Sequence, residues 1–525
     1  MANSNETKLS SGKSPYKWHR DEMHLGSMRY KRQIVAGEVF SDVCNATKHG
    51  QMTIFLGVYA TLSSPLTDHE LLAQLRRAWI ALRWDVPTIA AQTLHDGNNV
   101  AKPKTWMTYD IAQSHTDVDK WAEETVILRE DITDLDQLRY EVGQGPMPRA
   151  DLVPQSFLYL AASTSTTFGV LMRVSHIPFD GASVKILMSK LFDHLAMYIS
   201  DPHYASQQSA KMRWSREHEN LLPATVDILR RHKPAEMDGR GKVLIPATHE
   251  EPQSGPAYGE TFTQIMNDMA NYAPPPYNPV TTKPISRRAS HKFTVEESNK
   301  DYIDRSCKAD DQKVTSGGPV LGAVSLLPII NNPPADGPNS QAVVFVHGIV
   351  DCRQCLEKAY RHIDGYPGLC VGTSLIVVPV STATSMQSSS AAEKVLALAS
   401  VVREQYTAQA TLPALLGVSA EIIEMMSTIV TNPNTPPWTG PMFVGDGRGS
   451  KYLRESYLEH GSAQVIKITE FFMSANQTEP GPAFRATEWK GRIMLSADFN
   501  ELAVEPKVVE GWMKLWAELV LSVTN

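Results

Sequence analysis

Apolar residues fall along this chain in blocks, and the spacing inside each block predicts an element. The run QMTIFLGVYATL, just after Gly50, is apolar and rich in β-formers and predicts a strand. The following SSPLTDHELLAQLRRAWIALRWDVP predicts a helix. Thr67 can cap it, with Glu70 three residues on completing a capping box, and Pro87 ends it. Leu72, Leu75, Trp79 and Leu82 share one face of that helix. A polar stretch runs from there to about Pro154. SFLYLAAS, from Ser156, and TTFGVLMRVSH, ending at His176, then predict two strands joined by a hairpin turn at Thr164–Thr167. Beyond Asp180, the spacing of Val184, Leu187, Leu191, Leu195 and Tyr198 predicts an amphipathic helix packed on those strands.

Residues 233–290 are rich in Pro, Gly and polar residues and read as a linker or long crossover. Patterned sequence resumes near His291. HKFTVEESNKDYIDRSCKADDQKVT predicts a strand, a helix capped near Thr294 and a turn. VLGAVSLLPII predicts a buried helix, AVVFVHGIVDCR and LCVGTSLIVVPVS two strands, and SSAAEKVLALASVVREQYTA a helix. From Met442 strand-like runs (QVIKITEFFM, GRIMLSADFN) alternate with loops before a closing helix in VEPKVVEGWMKLWAELVLSV. Both halves therefore mix strands and helices, without a short-period repeat. The expected organisation is a disordered segment 1–16, a first subdomain 17–232, the linker 233–290 and a second subdomain 291–525.

Composition narrows the setting. The chain has 525 residues, 42% hydrophobic and 20% charged, with a formal charge of -7. That mild acidity gives no electrostatic reason to expect nucleic acid or an anionic membrane as partner. The N-terminus MANSNETKLSSGKSPYK has no apolar core of a secretory signal, and no run of about 18 apolar residues predicts a membrane span. A soluble cytoplasmic enzyme is expected, with the sequons at Asn45 and Asn476 unused. Five cysteines are too few for a disulfide framework. Cys352 and Cys355 form a lone CxxC with Cys370 nearby and no second ligand pair, so structural thiols rather than a metal site are expected.

The chemistry concentrates in SHIPFDGAS. A strand delivers His176 to a sheet edge, and Pro178 ends regular pairing because it has no N–H to donate. Gly181 permits a tight turn, and Asp180 stands where a helix starts, placed to cap it or to pair with a cation. An imidazole so held can take a proton from an attacking alcohol or amine, which is worth roughly 10²–10⁴ in rate. The same residues also read as a structural histidine before a capping aspartate.

HIPFDG (His176–Gly181) matches an HxxxDG motif, and three further stretches accompany it in order: PLTDHELLAQLRRAWIALRWDVPTIAA, VVFVHGIVDCR and LCVGTSLIVVPV. Together they resemble the condensation-domain-like acyltransferase superfamily, which includes chloramphenicol acetyltransferase, plant BAHD acyltransferases and peptide-synthetase condensation domains. Over about residues 50–525 the order is the same, and the linker falls where that superfamily joins its halves. Within it, the length, the long linker and the opening KWHRDEMHLGSMRYKRQIVAGEVFSDV look most like fungal trichothecene 15-O-acetyltransferases.

The resemblance implies an α/β (α+β) fold of two chloramphenicol-acetyltransferase-like subdomains, each a mixed sheet flanked by helices, with a tunnel between them. It implies that His176 is the catalytic base and that Asp180 faces away from substrate and pairs with an arginine, for which Arg353 is the candidate. It implies acetyl-CoA as co-substrate with no permanently bound cofactor and no metal, and a small hydrophobic alcohol as acceptor, a trichothecene C-15 hydroxyl. A monomer is expected. Other fungal polyketide or terpenoid alcohols remain alternative acceptors, and a non-catalytic binding module is the alternative class. Ser175 stands where many condensation domains carry a second histidine, which points to a freestanding enzyme. The plant DFGWG signature is absent; SADFN (Ser496–Asn500) shares only Asp-Phe with it and is assigned no role.

Other candidates carry plainer readings. Thr373 and Ser374 could offer a hydroxyl to an oxyanion or line the tunnel. His347 reads as a satisfied core histidine, with reach to the cleft from the second half as the alternative, and His194 reads as structural. GDGRGSK (Gly445–Lys451) is not a P-loop and reads as a turn that could line the tunnel. Arg287 and Arg288 read as solvated linker charge, with CoA phosphates as the alternative.

Overall fold

The structure, a computed structural model, describes residues 14–524 apart from 97–103, 149–152, 230–235, 238–242, 246–254, 268–283, 294–316, 335–341, 362–364, 459–463 and a few single positions. In chain order the first half forms β1 (His19–Arg20), β2 (Arg29–Gln33), α1 (Ala36–Thr47), β3 (Ile54–Leu62), α2 (Asp68–Asp85), β4 (Gln92–Asp96), β5 (Lys104–Asp110), α3 (His115–Thr125), β6 (Val126–Arg129), α4 (Leu135–Val142), β7 (Ser156–Thr164), β8 (Thr167–Val174), α5 (Gly181–Ser200) and α6 (Tyr204–Lys211). Then come β9 (Glu236–Met237), β10 (Val243–Ile245), α7 (Pro256–Asn267), β11 (Ser286–His291), α8 (Gly317–Asn331), β12 (Val343–Asp351), β13 (Val371–Pro379), α9 (Ser381–Thr384), α10 (Ala391–Ala410) and α11 (Leu415–Thr431). The chain closes with β14 (Met442–Arg448), β15 (Ser456–Leu458), β16 (Gln464–Ala475), β17 (Ala483–Trp489), β18 (Arg492–Asn500) and α12 (Pro506–Ser522).

A mixed six-stranded sheet, β15-β16-β3-β8-β7-β6, organises the first half. Period-two alternation in β3 sorts its faces. Ile54, Leu56, Val58, Ala60 and Leu62 enter the largest apolar core with α2 and α5, whereas Phe55 joins Leu135 and Leu138 of α4 and Phe472 on the reverse face. Gly57 is what lets Phe472 lie flat there, since a Cβ would stand 2.4 Å from its ring. The capping box on α2 forms as the sequence predicts: the Glu70 amide donates to Thr67 Oγ1 at 3.2 Å and the Thr67 amide to Glu70 Oε2 at 2.8 Å. Leu75, Trp79 and Leu82 are fully buried on its inner face. The hairpin β7–β8 and helix α5 also stand where predicted.

The second half builds a four-stranded sheet, β11-β18-β17-β14, and the pair β12-β13. Its core joins α8, α10 and α12, and Gly322 brings α8 so close to α10 that a Cβ would lie 2.1 Å from the Val395 carbonyl. Sequence division and sheet division do not coincide. β15 and β16 belong to the second half, yet β16 pairs with β3 from Ile466↔Leu62 to Ala475↔Ile54. β11 lies largely inside the stretch read as linker and pairs with β18.

Three other readings are corrected. The polar stretch before Pro154 holds β4, β5, α3, β6 and α4, and β4 and β5 extend a second four-stranded sheet, β1-β2-β5-β4. Arg287 and Arg288 are not solvated linker charge: Arg287 pairs with Glu501, and Arg288 donates to both Asp136 oxygens at 2.7 and 2.8 Å while lying over Phe472. GDGRGSK is mostly strand β14 rather than a turn. The elements predicted in 294–316 lie outside the described residues. No helix among the described residues is long and apolar enough to cross a membrane.

Candidate active site

Strand β8 ends at Val174, and the next residues run across the join between the halves. The Ser175 amide is held by the Gln155 carbonyl, and the Leu369 amide from the second half donates to the Pro178 carbonyl at 2.8 Å. Ile177 turns inward against Ile34, Ala91 and Met107, and Phe179 is fully buried in the main core. His176 is thus carried by a turn fixed on both sides.

Its imidazole keeps intermediate solvent exposure although protein surrounds it. Nδ1 is sealed from solvent and meets no hydrogen-bond partner, which leaves Nε2 as the nitrogen that can meet a second molecule. Burial pushes the His176 pKa below the ordinary imidazole value, and the positive charge of Arg485 pushes the same way; the negative charge of Asp180 and nearby backbone groups of His176 and Phe179 oppose them. The balance favours the neutral ring, the form that accepts a proton.

Asp180 is 2% exposed. Both roles open to it in the sequence are realised at once. As N-cap of α5, its Oδ1 accepts from the Ser183 amide and hydroxyl, each at 2.8 Å, and the Asp180 amide donates to Ser183 Oγ in return at 3.1 Å. The same Oδ1 accepts from Arg353 Nη2 at 2.8 Å, and Oδ2 from the Cys370 amide at 2.8 Å. Burial alone would raise its pKa, but Arg353 and these donors hold it below the usual carboxylate value.

Arg353, directly after β12 and 5% exposed, reaches the Tyr366 carbonyl (2.9 Å), the Gly368 carbonyl (2.7 Å) and Asp351 Oδ1 (3.0 Å) besides Asp180. Asp351 in turn accepts from Lys451 and Tyr452. A charged relay of buried and half-buried groups therefore ties the histidine turn to the second half. Cys352 and Cys370 are buried inside this packing, and burial pushes the Cys370 thiol well up, away from the reactive thiolate.

Gly181 differs from expectation. It is the first residue of α5, its φ lies outside the left-handed region, and a Cβ would meet only Met473 Cε at an ordinary 3.6 Å. The turn does not demand a glycine; what the missing side chain leaves is space beside Met473. Thr373 and Ser374 lie on β13 opposite Ile349 and Gly348, and their side chains, like that of His347, fall outside the described residues. His194 is structural as read, bonded to Tyr204 and Asp85. Among the described residues no cluster of His, Cys, Asp or Glu could hold a metal ion.

Three groups escaped the sequence reading. Lys185, 3% exposed on the first turns of α5, donates to the Asp446 carbonyl at 2.7 Å, and burial lowers its pKa. Arg485 on β17 is held by Asp446 and Asp498. The paired glycines of GDGRG were a signal for Asp446; nothing in FRATEW marks Arg485.

His176 stands at the join of two sheet-based halves beside a buried aspartate–arginine pair, as the resemblance to condensation-type acyltransferases implies. The fold agrees: the first condensation domain of the calcium-dependent antibiotic synthetase superposes with TM-score 0.58 at 12% identity, covering 94% of this chain and 96% of that one. The sequence profile of the 15-O-acetyltransferase Tri3 family matches residues 29–412, and the chain belongs to that family. It is 20% identical over 541 residues to the trichothecene O-acetyltransferase TRI3 of Trichoderma arundinaceum, covering 97% of each chain. It is 19% identical over 485 residues to the trichothecene 15-O-acetyltransferase TRI3 of Fusarium sporotrichioides, covering 88% of each. The solved structure of TRI3 from Fusarium sporotrichioides superposes with TM-score 0.80 at 16% identity, covering 97% of this chain and 98% of that one.

Proposed function

We propose that this enzyme transfers the acetyl group of acetyl-CoA to the 15-hydroxyl of a trichothecene, with His176 as general base. The acceptor hydroxyl gives its proton to His176 Nε2 as its oxygen bonds to the thioester carbon. The carbonyl electron pair moves to oxygen. Collapse of that tetrahedral species re-forms the carbonyl and breaks the C–S bond, and the departing thiolate takes the proton from His176. Both substrates are present together and no acyl-enzyme forms.

The observation that carries this reading is His176 itself: an imidazole with Nδ1 sealed and Nε2 open, on a turn locked from both sides, whose protonation burial disfavours. Asp180 and Arg353 act through the turn, as positioning residues. The acetyl donor and the 15-hydroxyl acceptor rest on the family and on its relatives' activities.

The test is incubation with acetyl-CoA and a 15-hydroxy trichothecene, followed by free thiol and product mass. Stoichiometric CoA and a 15-acetyl product are expected, with His176→Ala slower by roughly 10²–10⁴ and still folded. Transfer to other alcohols but not to the trichothecene would remove the acceptor. Near-normal turnover by His176→Ala would remove the base.

A further inference from the structure

The glycine-flanked aspartate of GDGRG has a purpose that the turn reading did not supply. The β14–β17 ladder pairs Gly445 with Ala486 and Gly447 with Thr487, skipping Asp446, and Gly447 adopts the left-handed φ of +66° that the bulge requires. The bulge frees both ends of Asp446. Its carbonyl accepts from Lys185 at 2.7 Å, Oδ1 from Arg485 Nη1 at 3.1 Å and Oδ2 from Thr487 Oγ1 at 3.1 Å.

Arg485 is held from the other side by Asp498. That carboxylate accepts from Arg485 Nε at 2.7 Å, from the Ala475 amide at 2.9 Å and from Ser474 Oγ at 2.5 Å. The side chains of Arg485, Asp446 and Asp498 are 9%, 4% and 0% exposed. Two buried carboxylates thus fix one guanidinium through Nε and Nη1. Nη2 makes no hydrogen bond to a described residue and is not among the polar atoms sealed from solvent, so this arm of an otherwise buried fork stays open to a second molecule. The group adjoins the histidine turn: Asp498 accepts from Ser474, whose neighbour Met473 stands 3.6 Å from where a Cβ on Gly181 would lie, and Asp446 accepts from Lys185 on the helix that follows the turn; the positive charge of Arg485 also opposes protonation of His176.

We propose that Arg485 is a catalytic residue whose free Nη2 donates to the acetyl carbonyl oxygen as that oxygen becomes an anion beside His176. Asp446 and Asp498 are its positioning residues, holding the fork before substrate arrives, so that no reorganisation accompanies the reaction. Lys185 adds a second buried cation on the helix that follows the histidine turn. This inference rests on the acyl-transfer reading: attack at the thioester carbon puts the π pair on the carbonyl oxygen, Arg485 stabilises that charge without giving up a proton, and the proton stays on His176 until the thiolate leaves.

The test is Arg485→Lys. An ammonium can satisfy the aspartates but cannot present the second arm of the fork. In a variant whose unfolding midpoint stays near wild type, kcat is expected to fall about 10²-fold, with KM for acetyl-CoA and acceptor within about 3-fold. A folded variant with kcat within about 3-fold of wild type overturns the proposal. Arg485→Ala gives a second arm if lysine unsettles the fold. Methylguanidinium is expected to restore kcat while leaving the unfolding midpoint unmoved; recovery of kcat only in step with the midpoint would mark a structural arginine and overturn the proposal. A wild-type protein inert towards every alcohol would instead sink the acyl-transfer reading, so the two failures are told apart by the wild-type rate.

Discussion

Replacing Asp180 by asparagine keeps the volume and removes the charge. The native carboxylate accepts four hydrogen bonds, three on Oδ1 and one on Oδ2. An amide has one acceptor atom. Its NH2 must therefore face either the Cys370 N–H or the three donors of Ser183 and Arg353, at a site only 2% exposed. Removing one member of a buried ion pair costs about 3–5 kcal/mol. Arg353 retains Asp351 and two backbone carbonyls, which puts Asp180→Asn near the lower end, about 3 kcal/mol. Arg353→Met should cost about as much, and the double variant should fall short of the sum by about 2 kcal/mol, because the two groups touch at 2.8 Å. Urea unfolding of the four proteins gives the coupling. The same proteins assayed for acetyl transfer should show kcat reduced about 10²-fold in Asp180→Asn, since the turn aiming His176 has lost its charged tie to the second half and keeps the Leu369–Pro178 backbone bond. Coupling under about 0.5 kcal/mol would refute the pair as a unit, and unchanged kcat would refute its role in aiming the base.

Because burial holds His176 below the ordinary imidazole value of 6.5, kcat/KM should persist into mildly acidic solution, its acid limb lying below pH 6.5; a limb above pH 7 would contradict the assignment. The same depression has a stability sign: the unfolded chain takes up the proton first, so this histidine's contribution declines as pH falls below 6.5, measurable as a pH-dependent unfolding midpoint lost in His176→Gln. Asp180 acts lower, stabilising the fold above the ordinary carboxylate value and ceasing to do so as pH falls through its depressed native value. Gly181→Ala should unfold no earlier than wild type, since its Cβ has room and alanine favours helix by up to about 1 kcal/mol; a marked fall in melting temperature would refute the reading of that glycine as vacant space. Gly322→Ala should destabilise by about 1–3 kcal/mol or more, because its Cβ would press on the Val395 carbonyl, and a neutral melting temperature would show that α8 can shift freely.

The sequence was most readable where one face of an element is uniformly apolar. β3, α2, the β7–β8 hairpin, α5, α8 and α12 follow from spacing and caps alone. Asp180 was readable as a cap, and Arg353 as its partner only through resemblance, because nothing local to residue 353 points back to residue 180. The stretch before Pro154 was unreadable for a physical reason. QTLHD and KTWMTYD are short strands with few apolar positions, and α3 buries only Val118, Trp121, Ala122 and Thr125 on its inner face. Arg288 looked like surface charge, and Arg485 carried no signal at all, because burial of an arginine is decided by carboxylates distant in the chain. For Arg288 that is Asp136, 152 residues away.

The seating of β16 against β3 bears on how the chain folds as it is made. Thr61 Oγ1 bonds the Lys467 carbonyl across 406 residues of chain, and Phe472 covers the glycine of β3. A ribosome that has released only the first subdomain exposes β3 as an open edge, with the apolar face around Phe55 missing one of its neighbours. Closure waits for residue 475, so the nascent first half is expected to need shielding from pairing with other chains, and folding is expected to be slow. Expressed alone, residues 17–232 should aggregate, and a synthetic strand spanning residues 464–475 should be what rescues them.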